Sequence, residues 1–146
     1  MRKRTHLRGF LLGYFVRFAV GLLFAYIEVQ VLRAISATHG TENPLRSGPL
    51  PPLTVAWAVS QTWIFASGIA GGIAAAYWAP ARSWYAPAFI ALTSLVMAAP
   101  NLPKTGGFAV QAIWLLITPV GVVLGAYIYS QFLESRSQQV APEQSS

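Results

Sequence analysis

FLLGYFVRFAVGLLFAYIEVQVL, residues 10–32, is the stretch on which the fold turns. At roughly 1.5 Å of rise per residue, a helix of this length crosses a hydrocarbon core of about 30 Å. Arg2, Lys3, Arg4 and Arg8 stand directly before it, where basic residues hold the start of a first span on the cytoplasmic side. A secretory leader has the same outline, and Ala34-Ile35-Ser36 imitates a cleavage site. Leader apolar regions, however, run to only about 7 to 15 residues. This one is longer and carries Arg17 and Glu28, so it reads as a transmembrane helix.

The rest of the chain has the same character. Its 146 residues are 55% hydrophobic and 10% charged, whereas about a quarter of a soluble domain is charged. Water is therefore not the main solvent. Three further apolar segments follow, at about 55–78, 84–101 and 108–132, which predicts an all-α polytopic membrane protein: a four-transmembrane-helix bundle forming one domain over residues 1–146. The third segment is the shortest: its length suits a re-entrant or interfacial piece, which would put the C-terminus outside, or a full crossing with local thinning of the bilayer.

The connections are legible from their breakers. Residues 38–52 contain Pro44, Pro49, Pro51 and Pro52, a density that favours extended backbone and a flexible loop. Tyr77-Trp78-Ala79-Pro80-Ala81 is nearly repeated as Trp84-Tyr85-Ala86-Pro87-Ala88 around Arg82, as expected of a tight helical hairpin at a membrane interface. Pro100, Pro103, Gly106 and Gly107 make the last turn. The Ser- and Gln-rich tail, 134–146, lacks an apolar period and is expected to be disordered. With four spans, Arg2, Lys3, Arg4, Arg8, Arg82 and Arg136 fall on one side and Arg33, Arg46 and Lys104 on the other. The excess of positive charge places both ends in the cytoplasm.

Within the first span Gly9, Gly13, Arg17, Gly21, Ala25 and Glu28 follow at steps of three or four and form one narrow stripe. Small residues at this spacing let another helix approach closely. Gly68 and Gly72 in the second span, with the row Ser67-Gly71-Ala75 beside them, and Gly121 and Gly125 in the fourth, are further candidates for helix packing.

Arg17 and Glu28 are the ionisable residues set inside an apolar run. An arginine at mid-bilayer costs about 2.5 to 3.5 kcal/mol of insertion free energy, against about 0.3 to 0.6 gained per large apolar residue. Eleven residues, or roughly 16 Å of helix, separate the two, so they cannot neutralise each other. Arg17 either snorkels to the headgroups or faces the bundle, with Thr118, Ser67 or the Leu115 carbonyl freed by Pro119 as acceptors. Glu28 lies towards the outer face, at about the depth of Gln61. It either reaches the interface and pairs with a polar neighbour, or titrates as a buried carboxyl that moves a proton or cation. Trp57, Trp63 and Trp114 on one side and Tyr127 and Tyr129 on the other read as an aromatic belt.

Several chemistries are excluded. There is no Cys and no Asp, and His6 and His39 lie outside the apolar runs, so disulfides, thiolates and axial haem ligands are missing. The four acidic residues, at 28, 42, 134 and 143, are too scattered to hold a catalytic metal or serve a nucleophile. The charge of +6 collects before the first span and makes no nucleic-acid groove. No catalytic residue, metal or cofactor is expected.

The basic start, the proline-bearing external loop and the second span ending in Gly71-Gly72-Ile73-Ala74-Ala75-Ala76 together resemble the small uncharacterised four-helix membrane proteins of bacteria. That resemblance implies a multi-pass inner-membrane location but no activity and no site residues. A structural or accessory subunit, packed on itself or on another membrane protein within the lipid bilayer, is the leading expectation. A small transporter or channel component with a polar path past Glu28, Arg17 and Gln61 is the alternative. A wet path reaching Glu28 favours transport, and a dry stripe favours packing.

Overall fold

The computed structural model describes residues 5–39, 53–79, 83–104 and 107–140. These residues form four α-helices and no strand: α1 (His6–His39), α2 (Val55–Trp78), α3 (Tyr85–Ala98) and α4 (Gly107–Val140), with a 3₁₀ turn at Ala99–Asn101 after α3. Residues of α1, α2 and α4 over His6–Val31, Val55–Trp78 and Gly107–Arg136 are long and apolar enough to cross a membrane; α3 is a shorter apolar helix.

Local chemistry sets the helix ends. The Thr5 hydroxyl accepts from Arg8 N and the Thr54 hydroxyl from Trp57 N, each at 3.2 Å, so both helices begin on a threonine cap. Gly107 opens α4 at φ +70°, in the left-handed region where a side chain is strained. Pro100 sits in the 3₁₀ turn that closes α3.

Close backbone approach organises the bundle around α2. Towards α1 the register runs antiparallel: Gly9 faces Ala79 and Ala75, Gly13 faces Ala75 and Gly71, Arg17 faces Gly71, and Gly21 faces Ser67. A Cβ at Gly13 would lie 2.7 Å from Ala75 Cβ and 2.9 Å from Gly71 O. Towards α4 the register is parallel. Gly68 and Gly72 meet the Thr118 and Val122 carbonyls, and Gly121 and Gly125 meet those of Phe65 and Ile69. Each pair of glycines thus admits the other helix's backbone, the approach that Cα–H contacts to carbonyl oxygens require.

Because α2 and α4 run parallel, α3 must return the chain from one end of the bundle to the other. It does so beside α1 and α4. At the end where α1 begins, Phe10 meets Phe89 edge-on at 4.8 Å, His6 meets Tyr85 at 5.4 Å, and His6 Nδ1 lies 3.0 Å from Ser83 Oγ. In this half of the bundle Ala75, Ala79, Ala86, Ile90 and Val122 form a closed core, with Phe10 and Tyr14 packed against it.

The exterior is apolar. Leu7, Leu11, Phe15, Phe18, Leu22 and Tyr26 each stand more than half exposed along α1, and only 6% of the apolar window of that helix is buried. A soluble fold would leave this surface in water at a cost of about 25 cal/mol per Å².

Two boundaries differ from the sequence reading. Helix α1 continues past residue 32 to His39, and α4 continues past Glu134 to Val140, where disorder was expected. In both places a helix already nucleated by an apolar segment propagates through polar residues at little cost. Glu134, Arg136 and the glutamines are good helix formers, and the Arg136 guanidinium packs over the Phe132 ring at 4.7 Å. Of the expected connections, residues 40–52, Pro80-Ala81-Arg82, Thr105-Gly106 and the tail from 141 lie outside the described residues.

Candidate functional site

Small residues draw α1 and α2 together only as far as Arg17. Beyond it the contact loosens: a Cβ at Gly21 would find its nearest neighbour, Ser67, at 3.9 Å. The separation opens a cavity of about 440 Å³ in the half of the bundle where α2 and α4 begin. All four helices line it: α1 with Tyr14, Arg17 and Gly21, α2 with Gln61 and Ser67, α3 with Ser94, and α4 with Trp114 and Thr118. Asn101 of the 3₁₀ turn completes the wall. A hollow of this size lies within the range of small-molecule sites, about 300–1,000 Å³.

The polar atoms on the wall divide into spent and unspent. Ser67 Oγ donates to Ile64 O at 2.7 Å, Ser94 Oγ to Ile90 O at 2.6 Å, and Asn101 Nδ2 to Met97 O at 3.1 Å. Those bonds occupy the two hydroxyl hydrogens and one of the two Asn101 Nδ2 hydrogens, and leave the oxygens as acceptors. Gln61 is 5% exposed, and its Oε1 is buried with no hydrogen-bond partner among the described residues. Such an atom forgoes about 1–3 kcal/mol unless something satisfies it.

Arg17 is the sole ionisable cation on this wall, and no carboxylate joins it. It faces the bundle, yet it forms none of the hydrogen bonds expected from the sequence. Thr118 and Ser67 share its cavity without bonding to it, and its nearest ring is Tyr14, 5.7 Å from the guanidinium carbon. Five N–H donors therefore stand without an acceptor among the described residues.

Glu28 lies elsewhere. Its carboxyl lies near the Ser60 side chain, one position from Gln61 and outside the cavity lining. The grouping expected of Glu28, Arg17 and Gln61 thus separates: Arg17, Gln61 and Thr118 come together, and Glu28 does not join them. Sequence reasoning missed Ser94, Asn101 and Trp114. A Ser or Asn near the end of a short apolar helix gives no signal until the partner helices are placed. Trp114 was assigned to a belt, but the cavity claims it. Two other belt residues are held between helices, Trp63 stacked on Phe24 at 4.6 Å and Tyr129 edge-on to Tyr77 at 5.8 Å.

A second hollow, between Phe65 of α2 and Ile113, Leu116 and Val120 of α4, is lined by apolar residues throughout and is an open surface dent. Among the described residues no three His, Cys, Asp or Glu side chains converge on a metal position. Comparison with protein-family models, with curated proteins and with solved structures finds no match to this chain.

Proposed function

We propose that this chain is a non-enzymatic, multi-pass protein of the bacterial inner membrane that holds a small molecule in the cavity between its four helices, as a binding or transport component. The observation that carries this reading is the Arg17 guanidinium, which lines the hollow with no hydrogen-bond acceptor among the described residues, beside Gln61 and Thr118 of two other helices. Lipid is the medium, because the α1 exterior is apolar over most of its length. No nucleic acid and no cofactor enter the reading.

Four crossings with both ends in the cytoplasm fit the bundle best. Parallel α2 and α4, each long enough to span, support a crossing by α3, and the positive charge before α1 supports the orientation. Under that orientation the cavity lies in the outer half and the closed core in the cytoplasmic half. The accessory-subunit reading keeps one argument of its own, since the glycine contacts on both faces of α2 build a packed, dry seam.

Native mass spectrometry of the chain released from mild detergent separates the two. A small-molecule adduct on the wild-type chain that Gly21→Phe removes supports the cavity reading. A copurifying protein subunit with no small-molecule adduct, unchanged by Gly21→Phe, supports the accessory one and counts against the cavity.

A further inference from the structure

The ligand's chemistry can be taken one step further, on the reading that the cavity is a binding site. We propose that the occupant is a small organic monoanion, its charged group on the Arg17 guanidinium and its apolar body beside Phe18 and Trp114. Among the cavity-lining residues Arg17 alone carries a charge. A cation is repelled by it, a neutral molecule leaves the guanidinium unpaired in a half-buried place, and a dianion brings a charge that nothing on the wall balances. One negative charge fits.

A carboxylate is the best match in shape, since the planar fork of a guanidinium donates two parallel hydrogen bonds to its two oxygens. Lipid phosphate is a poor rival here. Arg17 stands eleven residues after His6 and fourteen before Val31, so about 16 Å and 21 Å of helix separate it from the ends of that span, beyond the reach of its side chain. The carboxylate of Glu28 is a full eleven residues away, roughly 16 Å along the helix, and lies outside the cavity lining. The remaining lining suits an organic body: Trp114, Phe18 and Leu22 are apolar or aromatic, and Gly21 leaves room beside them.

Trp114 supplies the readout, because bromine quenches indole emission on contact. The purified full chain in non-ionic detergent is titrated with 4-bromobenzoate and, separately, with the uncharged 4-bromobenzamide. Expected is saturable quenching by the benzoate that disappears in Trp114→Phe, weakens about tenfold or more in Arg17→Gln, and weakens less in Arg17→Lys, which keeps the charge but not the fork, with only linear quenching by the amide. Equal affinity for the two probes, an Arg17→Gln variant that binds the benzoate as tightly as wild type, or linear quenching by both probes overturns the proposal. Should Arg17→Gln fail to fold, the ratio of the two probes on the wild-type chain reads the charge dependence by itself. Saturable binding of both probes that Gly21→Phe abolishes, and Arg17→Gln does not, leaves the cavity as a site and removes only its preference for anions.

Discussion

Gly13 and Gly21 occupy equivalent places in the α1 row, eight residues apart, but they meet opposite conditions. A methyl group at Gly13 collides with Ala75, Ile90 and the Gly71 carbonyl, while one at Gly21 meets only Ser67 at ordinary contact distance. Gly13→Ala is therefore expected to destabilise the protein by about 1–3 kcal/mol through overpacking. Gly21→Ala, which also improves helix propensity by up to about 1 kcal/mol, should be neutral or mildly stabilising. Thermal melts of the two variants in the same detergent check the contrast, and equal losses would show that the cavity does not open where the helices part. Glu28 gives a second prediction at this scale. It lies off the cavity wall, so Glu28→Gln, which keeps the size of the side chain, should leave ligand retention and melting temperature unchanged. Proton flux that Glu28→Gln removes from reconstituted vesicles would contradict this placement. Spacing made the α1 stripe readable before any coordinates. It did not show that the stripe is packed at one end and open at the other, because that depends on which residues of α2 lie opposite.

Among elements, α2 is the organiser, and its two glycine faces are not interchangeable. The α4 face is the tighter: Gly72 and Gly125 each lie against a backbone carbonyl of the other helix, which cannot rotate away as a side chain can. Gly72→Leu or Gly125→Leu should separate α2 from α4 and lower resistance to SDS unfolding by at least about 1–3 kcal/mol, whereas Val123→Leu on the exposed side of α4 should not. Unchanged unfolding curves for both glycine variants would refute the parallel seam. The bounds of α2 were legible, since an apolar run opens after the proline-rich loop and Pro80 closes it. The far ends of α1 and α4 were not, because polar composition predicts exposure to water and says little about whether a helix already under way will stop. The shortness of α3 left its course open in the sequence. The shared direction of α2 and α4 shows that it runs back along the bundle.

For the whole molecule, a sealed half and an open half follow from where small residues are placed. Glycine and alanine close the helices around Ala75, Ala79, Ile90 and Val122, and larger polar residues hold them apart around Arg17 and Gln61. Composition announced the apolar exterior and the helices long enough to cross a membrane. The cavity could not be read in advance, because its wall takes residues from all four helices at widely separated positions. Everything proposed for it depends on the bundle lying in a bilayer with α3 crossing completely, and the absence of native cysteine makes this directly measurable. Single cysteines are placed at Leu53, Ser83, Lys104 and Ser135 and treated with a membrane-impermeant maleimide in intact bacterial cells, before and after permeabilisation. Expected is labelling of Leu53→Cys and Lys104→Cys in intact cells, and of Ser83→Cys and Ser135→Cys only once the membrane is opened. Labelling of Ser135→Cys in intact cells, or of all four positions in a soluble fraction, would contradict a four-span bundle with both ends inside.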